Sequence, residues 1–196
     1  MKRLWLPVAG ALLPLSLASG CERRDDGASS GAAAAALREE GSTAPPSAPP
    51  ALSCRDAEFI VETAQDTMLD VALGAEVAQK ARSPEVKSLG ERMVRDSART
   101  NDELARLAAR KGVPLPRALD EGHRLKLEAI SALSGGTLEE AYTSDLVEDQ
   151  EDDVKDFRLA SIDAKDPDIR AWAAQKLPVV ERHLSMAKRL QAKTRR

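Results

Sequence analysis

Residues 81–87 read Ala81-Arg82-Ser83-Pro84-Glu85-Val86-Lys87, and residues 164–170 read Ala164-Lys165-Asp166-Pro167-Asp168-Ile169-Arg170. In both, a small polar side chain precedes a proline, an acid, a β-branched residue and a base. This is the chemistry of a helix start. The polar oxygen accepts from backbone N–H groups that lack an intrahelical partner, proline has no N–H to lose at the first helical position, and the acid suits the positive helix pole. The two stretches lie 83 residues apart, and the same offset pairs Phe59 with Tyr142, Asp70 with Asp153, Val71 with Val154 and Leu89 with Trp172. The chain therefore contains one αα-hairpin and its copy.

Working outward, the apolar spacing is helical from Arg55 onward. A first helix over about 55–82 places Ile60, Ala64, Met68, Val71, Ala75 and Ala78 on one stripe. A second begins after Ser83, carries Val86, Leu89, Met93, Leu104 and Leu107, and stops at Gly112 with Pro114 and Pro116 behind it. A short helix around 118–134 follows, ending at Gly135-Gly136. The fourth is read as opening on a Thr137–Glu140 capping box and running to about Ala164. The last starts at Asp166-Pro167 and contains Pro178, which is expected to kink it because one backbone bond is lost. Each long helix has roughly 26 residues and spans about 39 Å. Two such hairpins, joined by a connection holding the short helix, predict an all-α four-helix bundle.

The N-terminus, MKRLWLPVAGALLPLSLASGC, has Lys2 and Arg3, then an uncharged apolar run from Leu4 to Leu17, then Ala18-Ser19-Gly20 before Cys21. The apolar run is too short, and too broken by Pro7 and Pro14, to span a bilayer as a mature helix. It resembles the bacterial lipobox, which implies a signal peptide over residues 1–20 and lipidation of Cys21 after cleavage. Several acyl chains then anchor the chain, since each buried CH2 contributes about 0.8 kcal/mol. By the same resemblance, Glu22 after the lipid-bearing cysteine favours the outer membrane, facing the periplasm, over the inner one. The competing reading is an ordinary secretory peptide with a chance cysteine.

Residues 21–54 read as a tether: Ser29-Ser30-Gly31, Ala32 to Ala36, and Gly41 to Pro50 offer almost nothing to bury. As a random coil the segment reaches roughly 30 Å. The domain proper is 55–196. Once Cys21 carries lipid, Cys54 is the remaining thiol, and the domain holds no partner with which to close an internal disulfide. Lys2 and Arg3 are the only charged residues of the leader, so its removal leaves 27 basic against 32 acidic side chains. No basic excess exists to draw nucleic acid. Aromatic content of 3% argues against stacking platforms for bases or sugars.

Ser83-Pro84-Glu85-Val86-Lys87, Met93-Val94-Arg95-Asp96, Gly112-Val113-Pro114-Leu115-Pro116, Tyr142, and Leu177-Pro178 with His183-Leu184 together resemble the DUF4142 family, an exported bacterial domain of unknown function. The resemblance covers about residues 56–191 and implies a ferritin-like fold. Relatives often carry histidine where this chain has Ser97 and Gln150; of that set only His183 is present. All three are expected on or beside the inward stripe as core polar residues, with Ser97 and Gln150 satisfying each other or a buried water.

A ferritin-like di-metal centre needs a Glu from each of two helices and Glu-x-x-His from the other two, because i and i+3 share a face. The chain has no Glu-x-x-His. Asp120-x-x-His123 is the nearest version, in the connection, and His123 is expected to face solvent. In the run Glu148-Asp149-Gln150-Glu151-Asp152-Asp153 with Asp156, the side chains of Asp149, Asp152 or Asp153, and Asp156 share one face, for Ca2+ or a basic partner at most and otherwise simply solvated. The basic tail of Lys188, Arg189, Lys193, Arg195 and Arg196 suits a helix C-terminus, with possible contact to anionic lipid or peptidoglycan. No catalytic residue, metal site or cofactor is expected. The sequence reading is thus a membrane-tethered lipoprotein with a non-enzymatic binding or structural bundle, whose partner is an envelope protein or peptidoglycan. The alternative is a ferritin-like metal-dependent enzyme or metal-binding protein.

Overall fold

The computed structural model describes residues 52–195, and all the described secondary structure is helical. The helices are α1 (Cys54–Lys80), α2 (Pro84–Lys111), α3 (Glu121–Ser131), α4 (Gly135–Asp163) and α5 (Pro167–Thr194). The leader, Cys21 and most of the tether lie outside the described residues. No helix among those described is long and apolar enough to cross a membrane.

The repeat sets the helix boundaries. Moving 83 residues along the chain carries the end of α1 onto the end of α4, and both ends of α2 onto both ends of α5. Ser83 caps α2 by accepting from the Val86 N–H at 3.4 Å, and Asp166 caps α5 by accepting from Asp168 at 2.9 Å and Ile169 at 3.2 Å. Gly112, with φ of 68°, closes α2 in the left-handed conformation expected of a terminal glycine. α5 is continuous through Pro178.

The expected capping box at Thr137 is not used. α4 begins at Gly135 instead, whose φ of 59° turns the chain inward two residues earlier, and Ser134 makes no side-chain cap bond. The acid that matters is therefore Glu139, which is buried and reaches across the bundle to accept from the backbone N–H groups of Arg82 and Ser83. Asp56, its repeat mate, accepts from Lys165 N at 3.2 Å and Asp166 N at 2.9 Å. Each hairpin thus supplies a buried carboxylate that receives the exposed amides at the start of the other hairpin's second helix.

Within the first hairpin, α1 and α2 meet at Gly74 and Gly90. A Cβ on Gly90 would lie 2.7 Å from the Gly74 carbonyl oxygen, so this crossing requires two residues without side chains. Cys54, at the first position of α1, is disulfide-bonded. A lone cysteine in the domain implies either an intermolecular bridge or a free thiol, and the structure shows it is not free.

The core divides into two apolar clusters along the bundle. At the end where α1 begins, Ile60, Leu104, Leu107, Val154, Ile169 and Trp172 pack together, with Phe59 and Phe157 edge to face at 5.2 Å between centroids. At the other end Leu73, Val77, Val86, Met93, Leu138 and Tyr142 form the second cluster. Between the two lies a layer of polar side chains.

Candidate functional site

The polar layer draws on all four long helices. Thr63, Thr67 and Asp70 come from α1, Ser97 and Thr100 from α2, Gln150 and Asp153 from α4, and Lys176 and His183 from α5. Spacings of three, four and seven put the members from each helix on one face. They enclose a cavity of about 20 Å3, room for one water. The repeat runs through it: the 83-residue offset relates Asp70 to Asp153, Thr67 to Gln150 and Thr100 to His183.

The three core polar residues expected from sequence do meet here, each almost fully buried: Ser97 and Gln150 at 2% exposure and His183 at 4%. Their partners differ from expectation. Ser97 and Gln150 do not bond each other; each donates to an aspartate. Ser97 Oγ donates to Asp70 Oδ2 at 2.9 Å, and Gln150 Nε2 donates to Asp153 Oδ2 at 2.7 Å. Gln150 Oε1 is left as a buried acceptor with no protein partner.

The two aspartates retain a little solvent contact as residues, but their carboxyls have lost most of their hydration. That loss raises Asp70 to about 8, against the opposing bond from Ser97 and with further upward pressure from Asp66 and Asp149. Asp153 is raised well above the usual carboxylate range, by burial first and then by the charges of Asp66 and Asp70. At neutral pH the Asp70 carboxyl holds a proton because burial strips the hydration its anion needs, and burial pushes Asp153 the same way. Ser97 and Gln150 are thus satisfied by aspartates rather than by each other, and the layer also holds an ion pair, Lys176 with Glu103.

His183 presents Nε2 to Asp96 Oδ2 at 3.0 Å. With a carboxylate as acceptor, that nitrogen carries the proton. Burial lowers the His183 pKa, and Asp96 only partly restores it; the neutral ring is a hydrogen-bonded core histidine, as expected. Lys176, also buried, pairs with Glu103.

Beside this layer, α1 and α4 form an acidic seam. Asp66 and Asp70 face Asp145, Asp149 and Asp153, each four residues from the next on its helix, and α3 lies over them. His123 Nε2 lies 3.1 Å from Asp66 and its Nδ1 2.8 Å from Asp120. Lys126 Nζ donates to Asp149 at 2.7 Å and pairs with Asp145 at 3.2 Å. The expectation that His123 faces solvent is therefore wrong. Sequence neighbours gave no sign of Asp66, which arrives from a helix 57 positions away. Burial alone would lower His123, but the bonds to Asp120 and Asp66 outweigh it and raise its pKa. Desolvation lifts Asp66 and Asp145 each to about 6.

Of the acids expected to share a face of α4, Asp149 and Asp153 do lie together on the seam, while Asp152 turns to solvent. Asp149 pairs under α3, Asp153 lines the cavity, Asp152 pairs with Lys155 in solvent, and Glu151 with Lys188 of α5. Helical rotation distributes the run around α4. Among the described residues no group of three or more His, Cys, Asp or Glu side chains is placed to hold a metal ion.

The sequence profile of a domain of unknown function, DUF4142, matches residues 41–190. Among solved structures, a crystal structure of a DUF305 fragment from Deinococcus radiodurans superposes with a TM-score of 0.64 at 14% identity, over 74% of this chain and 99% of that one. At that identity the likeness concerns the fold. No protein of curated function matches the chain.

Proposed function

The chain belongs to the DUF4142 family, and on that footing we propose that it is an envelope lipoprotein whose bundle is a non-enzymatic binding module. The observation that carries the non-enzymatic part is the size of the mid-bundle cavity. About 20 Å3 admits a water and no organic substrate. That size counts against the alternative of a ferritin-like metal-dependent enzyme acting on an organic substrate. Recognition then falls to the outer surface of the bundle, and the leader with Cys21 supplies the anchor.

The anchor is tested by following processing in cells fed labelled palmitate. Replacing Cys21 by Ser should leave unprocessed precursor that takes up no label; a variant that is labelled and fractionates normally sinks the proposal. The bridge at Cys54 sharpens the test, because one sulfur cannot hold both a thioether and a disulfide, so a lipid on Cys21 requires Cys54 to be bridged to a second molecule. A diacylglyceryl mass on Cys21 of the processed chain supports the anchor. A Cys21–Cys54 disulfide there would overturn it in favour of a cleaved secretory peptide. Elemental analysis checks the other half: about one iron, manganese or zinc per chain, lost on His183→Ala, would promote the metal reading.

A further inference from the structure

Where α2 begins and α5 ends, a surface groove of about 430 Å3 lies between the two helices. Its floor is apolar: Leu89 is 4% exposed, and Met186 and Leu190 are partly buried against the same cluster. Its rim is cationic, with Arg92 from α2 and Arg189 and Lys193, four residues apart, from α5. Little of that charge is neutralised within the chain. Arg92 stands 3.6 Å from Asp96, and Lys193 3.8 Å from Glu85, both longer than a charge-assisted hydrogen bond. Arg189 donates to Ser185 Oγ, and no acid among the described residues pairs with it. The start of α2 adds a partial positive charge from its helix dipole. Glu85 is the one acid in the groove, so three cations face one anion on a chain whose net charge is −3.

We propose that this groove binds a single-chain anionic phospholipid, its acyl chain along Leu89, Met186 and Leu190 and its phosphate against Arg92, Arg189 and Lys193. The volume lies within the range of small-ligand sites and takes one acyl chain rather than two. Two guanidinium forks and an ammonium match phosphate oxygens better than a neutral or zwitterionic headgroup. This deepens the reading of the bundle as a binding module and is independent of the lipid on Cys21.

The test uses residues 22–196 purified without the leader, titrated calorimetrically with lysophosphatidylglycerol below its micelle concentration. Lysophosphatidylcholine and inorganic phosphate serve as the other probes. Lysophosphatidylglycerol should bind saturably, with lysophosphatidylcholine at least about tenfold weaker, since its choline ammonium meets the same cations that hold the phosphate and each such charge counts about fivefold. Phosphate alone should bind more weakly still, because it leaves the floor uncovered. The double variant Arg189→Glu, Lys193→Glu should lose at least about tenfold, while Glu85→Gln should tighten binding. Lys193 and Glu85 are 66% and 58% exposed, so the variants should stay folded with melting temperatures only slightly below the parent's, and folding is checked in the same samples. Equal binding of the two lysolipids, no binding, or indifference to the charge reversals would overturn the proposal. So would sedimentation showing that a second copy of the chain fills the groove. Because the sample carries no lipid at Cys21, failure here leaves the anchor intact, and failure of the anchor leaves this result standing.

Discussion

Asp70→Asn should make the protein more stable, and only above acidic pH. The native carboxyl, raised to about 8, keeps its proton through neutrality, whereas an unfolded chain releases it near the ordinary value of 3.8. Over that interval the native state binds more protons than the unfolded state, so stability falls as pH rises, by about 1.4 kcal/mol per unit. From pH 4 to 7 the gross effect is about 4 kcal/mol. Asp70 keeps some contact with water, which screens its charge, so about 2 kcal/mol is the working magnitude. Asparagine copies the shape of the protonated acid and retains an oxygen for the Ser97 hydroxyl, without the titration. Melts followed by far-UV circular dichroism should therefore show Asp70→Asn raised by about 4–8 °C at pH 7.5 and nearly level with the parent at pH 4. Carboxylates away from the layer titrate alike in both proteins and cancel, and relief of Asp153 from the Asp70 charge acts in the same direction. A variant that is destabilised at pH 7.5, or shifted equally at both pH values, would refute the protonated-acid description of the layer.

Glu139→Ala should cost about 1–3 kcal/mol by orphaning the Arg82 and Ser83 amides, and Asp56→Ala should cost a similar amount at α5. The two clamps lie at opposite ends of the bundle, so the double variant should show the sum within about 0.5 kcal/mol in urea unfolding; strong coupling would contradict independent clamps. Gly90→Ala should destabilise by about 1–3 kcal/mol, despite alanine's better helix propensity, because its Cβ meets backbone of α1 that cannot step aside. A more stable Gly90→Ala protein would show that the helix crossing is looser than described.

Much of the architecture can be read from the chain alone because its causes are local. Ser83-Pro84 and Asp166-Pro167 start helices through their own side chains and rings, apolar period chooses helix over strand, and the 83-residue offset makes the second hairpin a copy of the first. The burial of Ser97, Gln150 and His183 follows from the same period, since each falls in step with an apolar stripe. Local rules failed where a competing non-local partner existed. Thr137 and Glu140 spell a capping box, but α4 starts earlier on Gly135, and Glu139 serves a helix 57 positions away. His123 has only acids and a glycine just before it in sequence, yet the packing of α3 over α1 delivers Asp66 to its ring. Asp70 and Asp153 stand out in sequence as repeat mates; that both are pushed toward the protonated form depends on the layer that four helices build around them. Periodicity and capping are properties of neighbouring residues, and a sequence displays them. A carboxyl's charge state depends on what surrounds it in three dimensions, and only the assembled bundle fixes that.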